Sequence, residues 1–87
     1  MTEYTFRGFT ISEHMLYSLE QYIQYKQPVG DFLTAVLENN LSEAVAYADE
    51  NNLKNLPAFV GYLYNEAPSH CWGSKERVKE WLYGDGE

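Results

Sequence analysis

Prolines, asparagines and glycines recur along the chain and cut it into short segments, and this punctuation decides most of what the chain can fold into. Pro28, Asn39-Asn40, Asn51-Asn52, Pro57, Pro68 and Gly73 separate stretches in which apolar residues return every three or four positions. That spacing belongs to amphipathic helices rather than to strands, and the breaks keep each helix to a few turns.

The start signals agree with the stripes. Thr10-Ile11-Ser12-Glu13 reads as a capping box opening a helix striped by Ile11, Met15, Leu19, Tyr22 and Ile23. This helix should stop near Gln27, because Pro28 disfavours a helical residue before it. A second begins at Asp31, buries Phe32, Leu33, Val36 and Leu37, and ends at Glu38-Asn39-Asn40. Asn40 with Glu43 opens a third, striped by Leu41, Ala44, Val45 and Ala48 and closed by Asn51-Asn52. Asn55 caps a fourth with Pro57 in its first turn, where a missing N–H costs nothing, and with Leu56, Phe59, Val60 and Leu63 inward. Residues 65–72 read as an irregular loop, and Ser74 caps a last helix burying Val78, Trp81 and Leu82 and stopped by Gly84.

The expectation is an all-α, compact single domain of about five short helices over residues 10–84. An extended arm over 1–9 places Tyr4 and Phe6 on one side, and 85–87 form a tail. The expected core is Phe32, Leu33, Leu37, Leu41, Val45, Phe59, Val60, Leu63, Val78 and Trp81. At 87 residues the chain has room for one core. Burial of only about 60–65% of the unfolded surface favours help from oligomerisation.

Thirteen acidic residues against six basic give a net charge of −7, which argues against binding to duplex nucleic acid through its phosphates. A single cysteine, Cys71, forms no internal disulfide. No apolar run is long enough for a membrane span, and the first residues lack the basic-then-apolar layout of a leader, so a soluble, cytoplasmic protein without membrane contact is expected.

Several residues stand out as candidates for function. Tyr17, Tyr47 and Tyr62 fall off the apolar stripes of their helices. They are either half-buried core edges or a surface for self-association or a partner, since tyrosine is enriched at interfaces. In Trp72-Gly73-Ser74-Lys75-Glu76-Arg77 a Gly-Ser helix entry is followed by two cations, with a third at Lys79. Exposed backbone N–H groups, Lys75 and Arg77 suit an anion, and Trp72 can stack on a base. The ordinary explanation of the same string is a serine cap on a solvated, charge-alternating face. It is not a phosphate-binding P-loop, which needs two glycines four residues apart. His70-Cys71 lacks the further ligands zinc requires and the orienting third group of a nucleophilic pair, so no metal, cofactor or catalytic residue is expected. The carboxylates are scattered as on solvated faces, and their sum also permits an acidic surface that docks on a basic partner.

Tyr22-Ile23, Pro28-Val29-Gly30-Asp31-Phe32-Leu33, Ala35-Val36-Leu37, Asn39-Asn40-Leu41, Glu43-Ala44, Ala48-Asp49, Asn52, Tyr64-Asn65-Glu66-Ala67-Pro68 and Cys71-Trp72-Gly73-Ser74 together resemble a widespread group of small proteins of tailed phages and prophages. The resemblance runs from Phe9 to Leu82 and carries no assigned activity. It implies a phage origin and action inside an infected bacterial cell. By analogy with that class, the expected role is a non-enzymatic binding protein that antagonises host antiviral defence. One form of it sequesters a nucleotide immune signal in an oligomer pocket through Trp72, Gly73, Ser74, Lys75 and Arg77. The alternative is an acidic inhibitor or assembly factor that binds a host or phage protein directly.

Overall fold

The computed structural model describes residues 4–84. It is largely helical, with six α-helices and one small antiparallel hairpin among the described residues. Strands β1 (Tyr4–Phe6) and β2 (Phe9–Ile11) precede helices α1 (Glu13–Tyr25), α2 (Asp31–Leu37), α3 (Leu41–Tyr47), α4 (Glu50–Lys54), α5 (Leu56–Glu66) and α6 (Lys75–Lys79). A 3₁₀ turn, Ser69–Cys71, precedes α6, and a wide π-helical turn, Glu80–Gly84, follows it.

The hairpin corrects the reading of the N-terminus. Tyr4 faces Ile11 and Phe6 faces Phe9 in register, and Arg7 and Gly8 close the turn at φ 53° and 85°. Two positive φ angles define the tight turn whose twist suits a hairpin, and Gly8 accepts that geometry freely. Thr10 therefore lies in a strand and caps nothing; its N–H donates to Oδ1 of Asn55 at 2.9 Å. Ser12 occupies the N-cap of α1 instead, and Ile11 reaches the core from β2. The extended arm thus runs on to Ile11 as paired strand, its first three residues and the 85–87 tail lying outside the described ones.

The other start signals mostly act as expected. Oδ1 of Asn40 accepts the Glu43 N–H, and Oγ of Ser74 accepts the Arg77 N–H. Pro57 stands in the first turn of α5. The third helix, however, ends at Tyr47 and not at Asn51-Asn52. Asp49 caps a further short helix, α4, its Oδ1 accepting the Asn52 N–H at 2.8 Å. Helix α1 ends on Lys26 in left-handed geometry, before the restriction from Pro28 takes effect.

The core gathers Leu16, Leu19 and Tyr22 of α1 against Phe32, Leu33 and Leu37 of α2 and Ala58, Phe59 and Leu63 of α5, closed by Cys71 and Val78. Phe32 meets Phe59 edge-on at 5.1 Å between ring centres. Phe6 lies on Gly61, where an added Cβ would sit 2.5 Å from the ring, and Tyr4 meets Tyr62 edge-on at 5.2 Å. The hairpin is thereby seated across α5. The C-terminal segment is tied to α1 by two long-range bonds: Tyr22 donates to the Cys71 carbonyl at 2.8 Å, and the Trp81 indole donates to the Tyr22 carbonyl at 2.9 Å.

Three expected core residues lie outside it: Leu41, Val45 and Val60 are exposed. Trp81 is half-buried. Helix α5 is apolar nearly all round, so Leu56, Val60 and Tyr64 make a stripe as regular as the one that faces inward. In α3 the buried direction is that of Ala44, which leaves Leu41 and Val45 pointing past the core.

Candidate docking face and adjoining cleft

Of the apolar side chains left outside the core, Leu41, Val60 and Tyr64 line two adjoining depressions. Spacing of four residues aligns Leu56, Val60 and Tyr64 along α5 and Leu41 with Val45 along α3. A groove of about 580 Å³ runs along α5 beneath the hairpin, lined by Phe6, Arg7, Leu56, Pro57, Val60, Gly61, Tyr64 and Asn65. A small depression of about 40 Å³ adjoins it and shares Leu56 and Val60, with Ala35, Val36, Asn39 and Asn40 of α2 and its following turn and Leu41 and Ala44 of α3 opposite. Exposure is high for an apolar set: Leu41 67%, Val45 45%, Val60 47% and Tyr64 79%. Such residues bare singly are ordinary, but contiguous ones mark interaction surfaces. Among the described residues, Arg7 is the one charged side chain lining either depression. It lies 5.3 Å from the centre of the Phe6 ring, at the hairpin tip.

Beyond Tyr64 the surface turns into a cleft of about 360 Å³, lined by Asn39, Tyr64, Ala67, Ser69, Trp72, Gly73 and Arg77. It brings together three of the five residues expected to meet an anion: Trp72, Gly73 and Arg77. Their polar groups are largely engaged within the chain. Arg77 Nη1 donates to the carbonyls of Ser69 at 3.2 Å and Trp72 at 3.4 Å. The Gly73 N–H donates to the Leu37 carbonyl at 2.7 Å, and Ser74 is the cap of α6. These bonds hold the turn between the 3₁₀ segment and α6 against α2. Lys75 faces another depression, of about 440 Å³, between α6 and α2, shared with Lys79, Glu38 and Tyr83.

The tyrosines separate in the same way. Tyr17 and Tyr47 are exposed, whereas Tyr62 packs against Tyr4 as a core edge. Burial, with the nearby Glu20 and Glu66 carboxylates adding to it, raises the Tyr62 phenol above its ordinary range. His70 and Cys71 also part company. His70 lies at the edge of the Trp81 ring at 5.2 Å, while Cys71 is fully buried and burial pushes its thiol up to about 11. The Cys71 side chain packs within the hydrophobic core.

Sequence reasoning misses the exposure of Leu41, Val45 and Val60 because periodicity alone does not say which of two apolar stripes faces inward. The four-residue spacing of Leu56, Val60 and Tyr64 is the available signal. Comparison with protein families, curated proteins and solved structures finds no match to this chain. No helix among the described residues is long and apolar enough to cross a membrane.

Proposed function

We propose that this chain is a non-enzymatic docking protein, an inhibitor or assembly factor that seats another protein surface on the face formed by α3, α5 and the hairpin. The observation that carries the reading is the apolar continuity from Leu41 through Val60 to Tyr64 in a chain of net charge −7. Interface cores are depleted in charged residues and enriched in aromatic ones and arginine, and this face carries Phe6, Tyr64 and the single charge of Arg7. The resemblance to small phage proteins supports an infected bacterial cell as the setting and a host defence protein or a phage protein as a partner.

The test is a photo-crosslinking amino acid placed at position 64 or at position 17, with the protein expressed in a bacterial cytoplasm. The docking reading expects protein adducts from position 64 and few from 17. Adducts from 17 alone, or none from 64, contradict it.

The cleft lined by Trp72, Tyr64, Asn39 and Arg77 supports a second reading, capture of a nucleotide signal, because two rings and a cation border one space. A ligand present at 100 times its dissociation constant stabilises the fold by about 2.7 kcal/mol, a melting shift of several degrees for a domain of this size. Unchanged melting across cyclic di- and trinucleotides and adenosine-ribose compounds removes this second reading and leaves the first.

A further inference from the structure

We infer that the occupant of the α3–α5 face is a second copy of this chain, in a symmetric dimer. The inference rests on the docking reading above and names its partner.

Charge selects this face for contact between copies. Each copy carries −7 from 13 acidic and 6 basic residues, so most pairings of two copies bring carboxylates together. Among the described residues, the two depressions along α5 are lined by no carboxylate and by a single cation, Arg7. On this face two copies can close to contact while their acidic residues stay outside, where salt and water screen them. A twofold arrangement suits the shape as well. In an isologous contact a ridge must meet a groove on an identical partner. The stripe of Leu56, Val60 and Tyr64 is such a ridge, and the depression of about 580 Å³ between it and Phe6 of the hairpin is such a groove.

The bare area is of the size a weak dimer needs. An aromatic residue presents about 150–250 Å² when bare and an aliphatic one less, so the exposed fractions of Leu41, Val45, Val60 and Tyr64 leave roughly 400–500 Å² uncovered. Two such faces together bury on the order of 1,000 Å², the lower bound for a specific contact. The expected dimer is therefore weak, with a dissociation constant of roughly micromolar order or above. Tyr17, Tyr47 and Tyr62, the tyrosines the sequence singled out as candidates for self-association, lie outside both depressions.

Sedimentation of the full chain between about 5 and 500 μM tests this, the range being chosen to bracket such a constant. The expected result is a species approaching twice the 10.1 kDa chain mass at the upper end. Val60→Asp and Tyr64→Glu should each weaken association at least about tenfold, because each sets a carboxylate into the apolar contact from both copies. Both positions are exposed, and an unchanged far-ultraviolet circular dichroism spectrum confirms that the variants fold. Tyr17→Glu should dimerise as the parent does. A 10.1 kDa species at every concentration overturns the second copy as occupant. If position 64 then still crosslinks to a different protein, the docking reading survives without it. Dimers indifferent to both Val60→Asp and Tyr64→Glu overturn the face itself.

Discussion

Gly61 shows how one residue fixes the placement of an element. The Phe6 ring occupies the space a Cβ would need, 2.5 Å away, so Gly61→Ala must lift the hairpin or distort α5. Overpacking of this kind costs about 1–3 kcal/mol, which outweighs the gain in helix propensity from replacing glycine. A lower urea midpoint with an unchanged slope is the expected outcome. Cys71 sets a second expectation at this scale. Its thiol titrates at about 11 in the fold against an ordinary 9.0. The unfolded chain therefore holds fewer protons than the native one between those values, and stability falls as pH rises through that window. The contribution is complete below pH 9, and roughly 2 kcal/mol of it is lost by pH 11. Urea titrations at a series of alkaline pH values check the direction, and Cys71→Ala should flatten the slope just above pH 9. Burial likewise lifts the Tyr22 phenol above its ordinary 10.0, aided by Cys71 and Glu38, so its contribution declines from about pH 10 upward and overlaps that of the thiol.

At the scale of elements, Asn55 joins parts that are far apart in sequence. Its Oδ1 accepts the Thr10 N–H of β2, and its Nδ2 donates to the Asn51 carbonyl at 2.9 Å, at the junction of α4 and α5. Asn55→Ala leaves a part-buried backbone donor without that partner and should cost about 1–3 kcal/mol. Asn40→Ala removes only a local cap, for about 1 kcal/mol. A larger fall in melting temperature for the first variant is the result expected. The same contrast separates what is legible in the chain from what is not. Asn40, Ser74 and Pro57 act through neighbours three or fewer residues away, and their roles can be read directly. Asn55 has a helix-starting composition but spends its acceptor on a strand 45 positions earlier, which no local pattern encodes. The hairpin is half legible: Tyr4 and Phe6 alternate, yet Thr10-Ile11-Ser12-Glu13 satisfies a capping pattern equally well. Tertiary seating on Gly61 goes with the strand. Of the candidate site, Trp72, Gly73 and Arg77 group together in the sequence because they are near neighbours, whereas the α3–α5 face depends on which stripe of α5 turns inward.

At the scale of the whole molecule, the docking proposal makes the bare apolar face the working surface and the acidic remainder the solvent face. A domain this small leaves apolar residues uncovered because its surface is large relative to its core. What distinguishes Leu41, Val60 and Tyr64 is that they line adjoining depressions in which, among the described residues, Arg7 is the one charged side chain. Amide nuclear magnetic resonance of the chain over a concentration series reads this surface residue by residue. If copies meet on the α3–α5 face, resonances of Leu41, Val45, Val60, Gly61 and Tyr64 move with concentration, with little change at Tyr17 and Tyr25 on α1. Shifts independent of concentration, or movement centred on α1 instead, would contradict it.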